Sequence, residues 1–252
     1  MEVKAFGATD VGKVRAANED SFLLDEELKL YIVADGMGGH QGGGYASSRA
    51  VAQIKAEILR QEGKQESTQP LSAASGRTPA QIRLKSALLL TNEMLFKKAM
   101  EDSTLRGMGT TVTAIQLDHV VANIAHVGDS RLYLMRNGDL LQISRDHSWV
   151  QEQVDAGVLS EEEARVHPLK NIITRSLGHD RELIVDLDRR EYQPGDRFML
   201  CSDGLTNMVD DETIKQVMRG KDLEASVKEL IRLALEAGGQ DNITTLIVEI
   251  RE

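Results

Sequence analysis

The chain has 252 residues, of which 41% are hydrophobic and 28% are charged, a composition that suits one large domain with a full core. Its formal net charge of −10 is repelled by nucleic acid and by anionic membranes, so proteins or small molecules are the expected partners. The single cysteine, Cys201, excludes a disulfide framework or a zinc cluster and predicts a cytoplasmic location. We see no signal peptide and no apolar run of membrane length, and we expect one domain over residues 1–252.

Three segments show the apolar spacing of amphipathic helices. The first covers residues 46–58 and the second covers residues 84–99. The polar, aperiodic stretch between them predicts a mobile loop at about residues 60–79. The third segment begins at Asp222, which is a suitable N-cap, and stops at Gly238-Gly239.

Predicted strands are more numerous than helices, and most of them follow one another directly. Asn137-Gly138, between two of them, is a strong hairpin signal because both residues accept positive φ. Consecutive strands without intervening helices favour antiparallel sheets packed against outer helices, which is an α+β fold. The predicted strands are residues 30–34, 110–117, 120–127, 132–135, 140–143, 183–187, 197–201 and 243–250.

A small helical insertion is predicted between Asp146 and Leu177. Within it, Ser160 and Glu163 form the pattern of a capping box, which starts a short helix before Pro168. We expect residues 146–177 to lie over a site as a flap.

Four aspartates stand beside glycine or asparagine at the ends of predicted strands, in the pairs Asp35-Gly36, Gly128-Asp129, Asp203-Gly204 and Asp241-Asn242. Each pair alone is typical of a turn. Gathered at one edge of a sheet sandwich, however, four carboxylates would repel one another, and a multivalent cation would remove that repulsion. Ligands made only of oxygen select Mg²⁺ or Mn²⁺ over zinc. The spacing by itself leaves the turns and the metal site both open.

Nine short motifs follow one another over nearly the whole chain: Thr9-Asp10-Val11-Gly12, Arg15-Ala16-Ala17-Asn18-Glu19-Asp20, Asp35-Gly36-Met37-Gly38-Gly39, Gly109-Thr110-Thr111, His126-Val127-Gly128-Asp129-Ser130-Arg131, Asp146-His147-Ser148, Thr174-Arg175-Ser176-Leu177-Gly178, Ser202-Asp203-Gly204-Leu205 and Gly239-Gln240-Asp241-Asn242. With these motifs the sequence resembles the metal-dependent protein phosphatases, or protein phosphatase 2C family, in their compact bacterial form. Each motif is weak alone, and their number and order make the resemblance specific.

The resemblance implies a fold and a metal site. The fold would be a four-layer α-β-β-α sandwich of two antiparallel sheets flanked by helices, with the flap at residues 146–177. Asp35 would bridge two Mn²⁺ or Mg²⁺ ions, and Asp203 and Asp241 would complete the shell of the first ion. The Gly36 carbonyl would hold the second ion, with Glu19 acting through water.

The resemblance also implies roles for residues that do not bind these two ions. Arg15 would grip the substrate phosphate, which suits a forked and always charged guanidinium. Asp20, in the same motif, is a further candidate catalytic residue. Asp129, with Asp203, matches a third and weaker metal site. From the residues alone, Asp129 could instead cap its turn and pair with Arg131.

The sequence departs from the family pattern at one position. Family members with a histidine directly after the Asp-Gly pair use it as a proposed general acid, but that position here is Met37, which cannot donate a proton. His40, three residues later, is the nearest substitute and is a candidate catalytic residue. The alternatives are that His40 is only a loop histidine and that a metal-bound water protonates the leaving group.

The implied activity is hydrolysis of phosphoserine and phosphothreonine in proteins, by direct attack of a metal-bridging water. The enzyme would be a monomer opposing a Ser/Thr protein kinase, and that kinase would be among its phosphorylated partners. Two alternatives are a regulatory phosphatase specific for an anti-sigma-antagonist type of target and an inactive phosphoprotein-binding module. The first usually comes with a sensor domain, for which 252 residues leave no room. The second should lack a ligand, and all four aspartates are present.

Other sources of chemistry are weaker. A cysteine phosphatase loop needs an arginine six residues after its cysteine, and that position is Asn207, so Cys201 is expected to be a buried strand residue. The glycine-rich run 36–44 has P-loop spacing, but Tyr45-Ala46 follows in place of Lys-Ser/Thr. Three histidines lack short ligand spacing and are expected to be structural: His126, His147 and His167.

Overall fold

The computed structural model describes residues 1–38, 42–65, 76–220 and 222–252. The strands and helices of these ranges follow in the order β1 (Val3–Asp10), β2 (Asp20–Asp25), β3 (Leu30–Met37), α1 (Gly42–Gln65), α2 (Pro79–Glu101), β4 (Gly109–Thr110), β5 (Val112–Asp118), β6 (Val121–Val127), β7 (Arg131–Arg136), β8 (Asp139–Gln142), α3 (Trp149–Asp155), α4 (Glu161–Val166), β9 (Asp186–Glu191), β10 (Arg197–Cys201), α5 (Asp203–Thr206), α6 (Asp211–Met218), α7 (Leu223–Glu236) and β11 (Ile243–Ile250).

The strands form two antiparallel sheets that pack face to face. The first sheet has the order β1-β11-β10-β7-β8, and the second has the order β2-β3-β5-β6-β9, with β4 paired to the end of β3. Helices α6 and α7 pack on the outer face of the first sheet, and α1 and α2 pack on the outer face of the second. The four-layer α+β sandwich expected from the sequence is therefore confirmed.

The layers follow from the alternation of side chains along each strand. In β3, Leu30, Ile32 and Ala34 pack against α1 and α2, whereas Tyr31 and Val33 fill the space between the sheets. Because such central strands are buried on both faces, their sequences are continuous apolar runs. These runs are the strongest strand signals in the sequence, which explains why the central strands are predicted well.

Edge strands are predicted less well. The strand expected at residues 183–187 lies at Asp186–Glu191, where the ladder with β6 begins at Asp186. Leu183 and Val185 produce the apolar alternation, but they pack into the helix-side core before the ladder starts. Strands β1 and β2 are not predicted. Most of their residues are only partly buried, so their apolar pattern is weak.

Local signals at turns and caps are confirmed. Asn137 and Gly138 have φ of 53° and 84° in the β7–β8 hairpin, and Ser160 and Glu163 form the expected capping box of α4. Asp222 accepts a hydrogen bond from the backbone of α7 as its N-cap. The predicted loop at 60–79 is shorter than expected, because α1 continues to Gln65 and α2 starts at Pro79; residues 66–75 lie outside the described residues.

The predicted insertion contains helices α3 and α4 and returns to the core at Leu177, which bridges to Thr110 of β4. Within the described ranges, no helix combines the length and apolar composition needed to cross a membrane.

Candidate active site

Five aspartates gather at one end of the sandwich. Asp20 begins β2 and lies directly opposite Asp35, near the end of β3, in the antiparallel register. Asp129 follows β6, Asp203 follows β10 and Asp241 precedes β11. The charges of the other four all raise the pKa of Asp35, so the structure brings together the aspartates predicted from the sequence.

Asp20 and Asp35 form the most crowded part of this cluster, because residues opposite each other in an antiparallel pair carry neighbouring side chains. Asp20 Oδ2 accepts hydrogen bonds from Ser202 Oγ at 2.7 Å and from Thr244 Oγ1 at 2.6 Å. Its Oδ1 is buried without a hydrogen-bond partner in the described part of the chain. Burial raises the pKa of Asp20 to about 6, and burial together with the charge of Asp20 raises the pKa of Asp35 well above its usual value.

Asp203 and Asp241 lie on the first sheet, across from Asp35. Asp203 begins the short helix α5 and accepts a hydrogen bond from Asn207 Nδ2 at 2.9 Å. Burial and the charge of Asp241 raise the pKa of Asp203. Asp241 Oδ2 accepts from Arg15 Nη2 at 2.6 Å, while half of the Arg15 side chain, 52%, remains exposed. Arg15 therefore stands at the rim of the carboxylate cluster with its guanidinium open to solvent.

Glu19 and Gly36 meet the N-terminus of α1. Gly36 N–H donates to the Glu19 carbonyl at 3.2 Å, and Gly44 N–H donates to Glu19 Oε1 at 3.3 Å. A Cβ on Gly36 would lie 2.1 Å from the carbonyl oxygen of Gly43, and one on Gly43 would lie 2.7 Å from Glu19 Oε1. Only glycine fits this approach of helix to strand, and the approach keeps Glu19 beside the Gly36 peptide.

Asp129 is almost fully buried, at 8% exposure, and its Oδ1 has no hydrogen-bond partner among the described residues. The charge of Arg131 acts on Asp129, but Arg131 makes no hydrogen bond to it within the described ranges. Arg131 instead makes a bidentate pair with Asp146, Nε to Oδ1 at 3.0 Å and Nη2 to Oδ2 at 2.7 Å. The alternative in which Asp129 pairs with Arg131 is therefore wrong. Burial and the charge of Asp203 raise the pKa of Asp129 well above its usual value.

Asn242 organises the segment that carries Arg15 and Glu19, a role that the sequence analysis misses. Its Oδ1 accepts from Glu19 N at 2.7 Å, and its Nδ2 donates to the carbonyls of Val11 at 2.9 Å and Ala17 at 3.0 Å. The available signal in the sequence is an amide side chain directly after Asp241, immediately before strand β11.

A cavity of about 410 Å³ opens beside the carboxylates, between the insertion and helices α5 and α6. Asp129 and Asp203 line it from the core, and Arg165 and Lys170 line it from the insertion. The predicted flap thus forms one wall of this cavity.

Cys201 and His126 do not belong to this cluster. Cys201 is fully buried, and burial raises the pKa of its thiol to about 12, which makes it a poor nucleophile. His126 is a satisfied structural histidine, with Nδ1 3.0 Å from Thr113 Oγ1 and Nε2 3.0 Å from the Arg145 carbonyl oxygen. The strand predicted at residues 30–34 continues to Met37 in the structure, and His40 lies outside the described residues.

The chemistry of this cluster suits a hard divalent cation. Its donors are all oxygen, and burial and neighbouring carboxylates raise the pKa of Asp35 and Asp203. Two buried oxygens, Asp20 Oδ1 and Asp129 Oδ1, lack hydrogen-bond partners within the described ranges. Within the described part of the chain, no group of three or more acidic, histidine or cysteine side chains is placed so that it could hold a metal ion as it stands. The cluster combines uncompensated negative charge with an adjacent arginine, as an ion and phosphate site requires.

Known proteins are similar to this chain in sequence and in fold. The profile of the family described as Protein phosphatase 2C matches residues 13–247. The chain is 38% identical to the serine/threonine phosphatase stp of Listeria welshimeri over 245 residues, which is 96% of this chain and 93% of that protein. It is also 38% identical to the serine/threonine protein phosphatase PstP of Mycobacterium tuberculosis over 96% of this chain, and it spans 44%, or about half, of that protein's length.

A solved structure extends this similarity to three dimensions. The crystal structure of the catalytic domain of PstP in complex with two manganese ions has a TM-score of 0.84 and 34% sequence identity, and the match covers 99% of both chains. The family profile covers the strands and helices that carry all five aspartates. The chain therefore belongs to the protein phosphatase 2C family.

Proposed function

We propose that this protein is a Mn²⁺- or Mg²⁺-dependent protein phosphatase that hydrolyses phosphoserine and phosphothreonine. The observation that carries the proposal is the gathering of Asp20, Asp35, Asp129, Asp203 and Asp241 at one end of the sandwich, with Arg15 at its exposed rim. Asp20 and Asp129 are buried. Relatives named serine/threonine phosphatases, matched over nearly the whole chain, support it.

In this proposal, Asp35, Asp203, Asp241 and the Gly36 carbonyl hold two ions, with Glu19 acting through water. The structure of the PstP catalytic domain with two manganese ions supports a site for two ions. Two ions of this kind supply Lewis acidity and a water of lowered pKa. Asp20 accepts from Ser202 and Thr244, so its place in the site is to fix β2 against the first sheet and to add negative charge beside Asp35. Asp129, with Asp203, would form a third and weaker cation site.

Arg15 would bind the phosphate. Its guanidinium already binds a carboxylate oxygen of Asp241 and is exposed enough to turn towards an incoming phosphoryl group, where it can form two charge-assisted hydrogen bonds. Water would attack phosphorus directly, in line with the leaving Ser or Thr oxygen. His40 is a candidate proton donor to that oxygen, and solvent within the site is the alternative.

The substrates would be phosphorylated proteins, including a Ser/Thr protein kinase that this enzyme opposes. The open cavity beside the flap admits a polypeptide side chain. We propose that the enzyme acts in the cytoplasm as a monomer, which the net charge of −10 and the single cysteine support. Comparison of phosphoproteomes with and without the protein would identify the targets.

The first test of the function is metal dependence. Hydrolysis of p-nitrophenyl phosphate and of phosphothreonine peptides should require added Mn²⁺ or Mg²⁺, because the donors are oxygen alone. Rates are measured after exhaustive chelation and after each metal is restored. Full activity in the chelated protein, or better activity with zinc than with manganese, would contradict the proposal.

Asp203→Asn and Asp241→Asn should each abolish turnover while the fold persists. The lost charge weakens ion binding, but it also relieves repulsion within the cluster, so the metal-free variants should melt no lower than the wild type. Turnover and melting are measured together. Asp118→Asn is the matched control, because Asp118 is exposed and lies at the far end of β5. A variant that keeps more than about a tenth of the wild-type rate at saturating manganese, a loss of only ~1.4 kcal/mol, would refute the assignment.

Arg15→Ala should lower kcat/KM for all phosphate substrates by roughly 10- to 100-fold, from about 1.5–3 kcal/mol for a hydrogen bond to a charged group. Arg15→Lys should recover part of the loss, since lysine cannot form a bidentate contact. Melting should change little, because the Arg15–Asp241 pair is largely exposed. Lys13→Ala serves as a control for the loss of a nearby positive charge, and equal effects of the two alanine variants would contradict a specific role for Arg15.

Asp20→Asn should change how the stability of the metal-free protein depends on pH. The folded pKa of Asp20, about 6, lies above its ordinary value of 3.8, so its contribution to stability is present at low pH and is lost as pH rises through about 6. The free energy of unfolding of Asp20→Asn should therefore exceed that of the wild type by more at about pH 7.5 than at about pH 5. Urea denaturation in a chelator measures it. A difference that is independent of pH would show that Asp20 titrates normally.

A further inference from the structure

One buried histidine joins the flap to the peptide that carries Asp129. His147 stands next to the start of the flap and is 5% exposed. Its Nδ1 accepts a hydrogen bond from Gly128 N–H at 3.0 Å, and its own backbone N–H donates to the Gly128 carbonyl at 2.8 Å. Two hydrogen bonds therefore clamp the residue immediately before Asp129.

The outer side of the ring is also held. Because Nδ1 accepts from Gly128, the proton of the neutral ring is on Nε2, which donates to Asp186 Oδ2 at 3.1 Å. Asp186 Oδ1 accepts from Arg175 Nη1 at 3.0 Å, and Arg175 lies where the flap returns to the core. Arg175 Nη1 also lies 3.3 Å from Nε2. The ring is therefore held at both nitrogens, and it connects both ends of the flap.

Backbone hydrogen bonds continue this connection to the other side of the site. Thr174 N–H donates to the His147 carbonyl at 2.8 Å, and Leu177 and Thr110 exchange two backbone hydrogen bonds at 3.0 and 2.9 Å. Thr110 Oγ1 then donates to the Asp35 carbonyl at 2.9 Å. The base of the flap is hydrogen-bonded to a peptide on each side of the carboxylate cluster.

The position of Asp129 depends on this clamp more than on its own side chain. Its Oδ1 has no hydrogen-bond partner in the described ranges. Gly128 has φ of +112°, and a Cβ there would lie 2.5 Å from the Thr111 side chain, so the peptide is confined between Thr111 and His147. A shift of His147 would move the Gly128 peptide and the Asp129 carboxylate with it.

We propose that His147 is a positioning residue that fixes Asp129 relative to the flap, so that cation binding at Asp129 and the position of the flap depend on each other. The inference rests on the proposed function, because it assigns a consequence to the cation site of Asp129. His147 would contact neither the phosphate nor the ions of the proposed function. The His147 side chain acts on Asp129 through its hydrogen bond with Gly128.

Two variants test the contributions of the two ring nitrogens of His147 separately. His147→Asn places an amide oxygen near Nδ1 and can keep the Gly128 bond, whereas His147→Gln reaches the Nε2 position and leaves Gly128 N–H without its acceptor. In the metal-free protein, hydrogen exchange at the Gly128 amide should be about 2- to 10-fold faster in His147→Gln than in the wild type, the effect of one hydrogen bond, and should be largely restored in His147→Asn. Asp186→Ala, at a half-exposed side chain, removes the ring's outer anchor and should give a smaller change in the same direction.

The coupling is measured by titrating each protein with Mn²⁺, by calorimetry and by activity. In His147→Gln, the tight sites should fill as in the wild type, the rise in activity at high manganese should be lost, and the flap should be cleaved faster by protease. His147→Asn should keep all three wild-type properties. Lower melting of both histidine variants with unchanged titration curves and unchanged Gly128 exchange would overturn the inference and leave His147 a packing residue.

Failure of the proposed function has a different signature. A wild-type protein without metal-dependent hydrolysis would overturn the function itself. The exchange rate at Gly128 and the calorimetric Mn²⁺ titration need no turnover, and they would still decide whether His147 positions Asp129.

Discussion

Repulsion among buried carboxylates is the constraint around which this molecule is arranged. Asp20 and Asp35 lie opposite each other in one ladder, and Asp129, Asp203 and Asp241 add negative charge from the neighbouring strand ends. Burial raises the pKa of most of these groups because the ionised forms lose hydration and face like charges. Such an arrangement costs stability in the absence of a cation. Proteins keep costly charge clusters of this kind mainly where chemistry needs them, and here an exposed arginine stands beside the cluster.

The sandwich supplies the rigidity that holds the charges together. Its interior is apolar between the sheets and beneath both helical layers, so the strand ends cannot separate without exposing core surface. Where the carboxylates meet, polar contacts replace apolar packing: Ser202 and Thr244 hold Asp20, and Asn242 holds the loop of Arg15 and Glu19. These contacts cross between the two sheets, so that the site forms only when the sheets are correctly packed.

The flap is attached to this site rather than merely lying near it. Its base is hydrogen-bonded to Gly128 on one side and, through Thr110, to the Asp35 peptide on the other. The same segment forms one wall of the cavity beside Asp129 and Asp203. Movement of the flap base would therefore be transmitted to the peptides that carry Asp35 and Asp129.

The central strands, the caps at Ser160 and Asp222 and the Asn137-Gly138 turn could be predicted from the sequence, because apolar runs and turn chemistry are local properties of the chain. The clustered aspartates were predicted from the order of the motifs and the family resemblance that they carry. It misplaced β9 and missed β1 and β2, because edge strands are only partly buried and their pattern is weak. The fold was needed to see that Arg131 pairs with Asp146 and that Asp129 Oδ1 has no hydrogen-bond partner among the described residues. The contacts of Asn242 and His147 were also not predictable, because each bonds partners far away in sequence. The packing of the two sheets, rather than residue type or spacing, settles which distant groups meet.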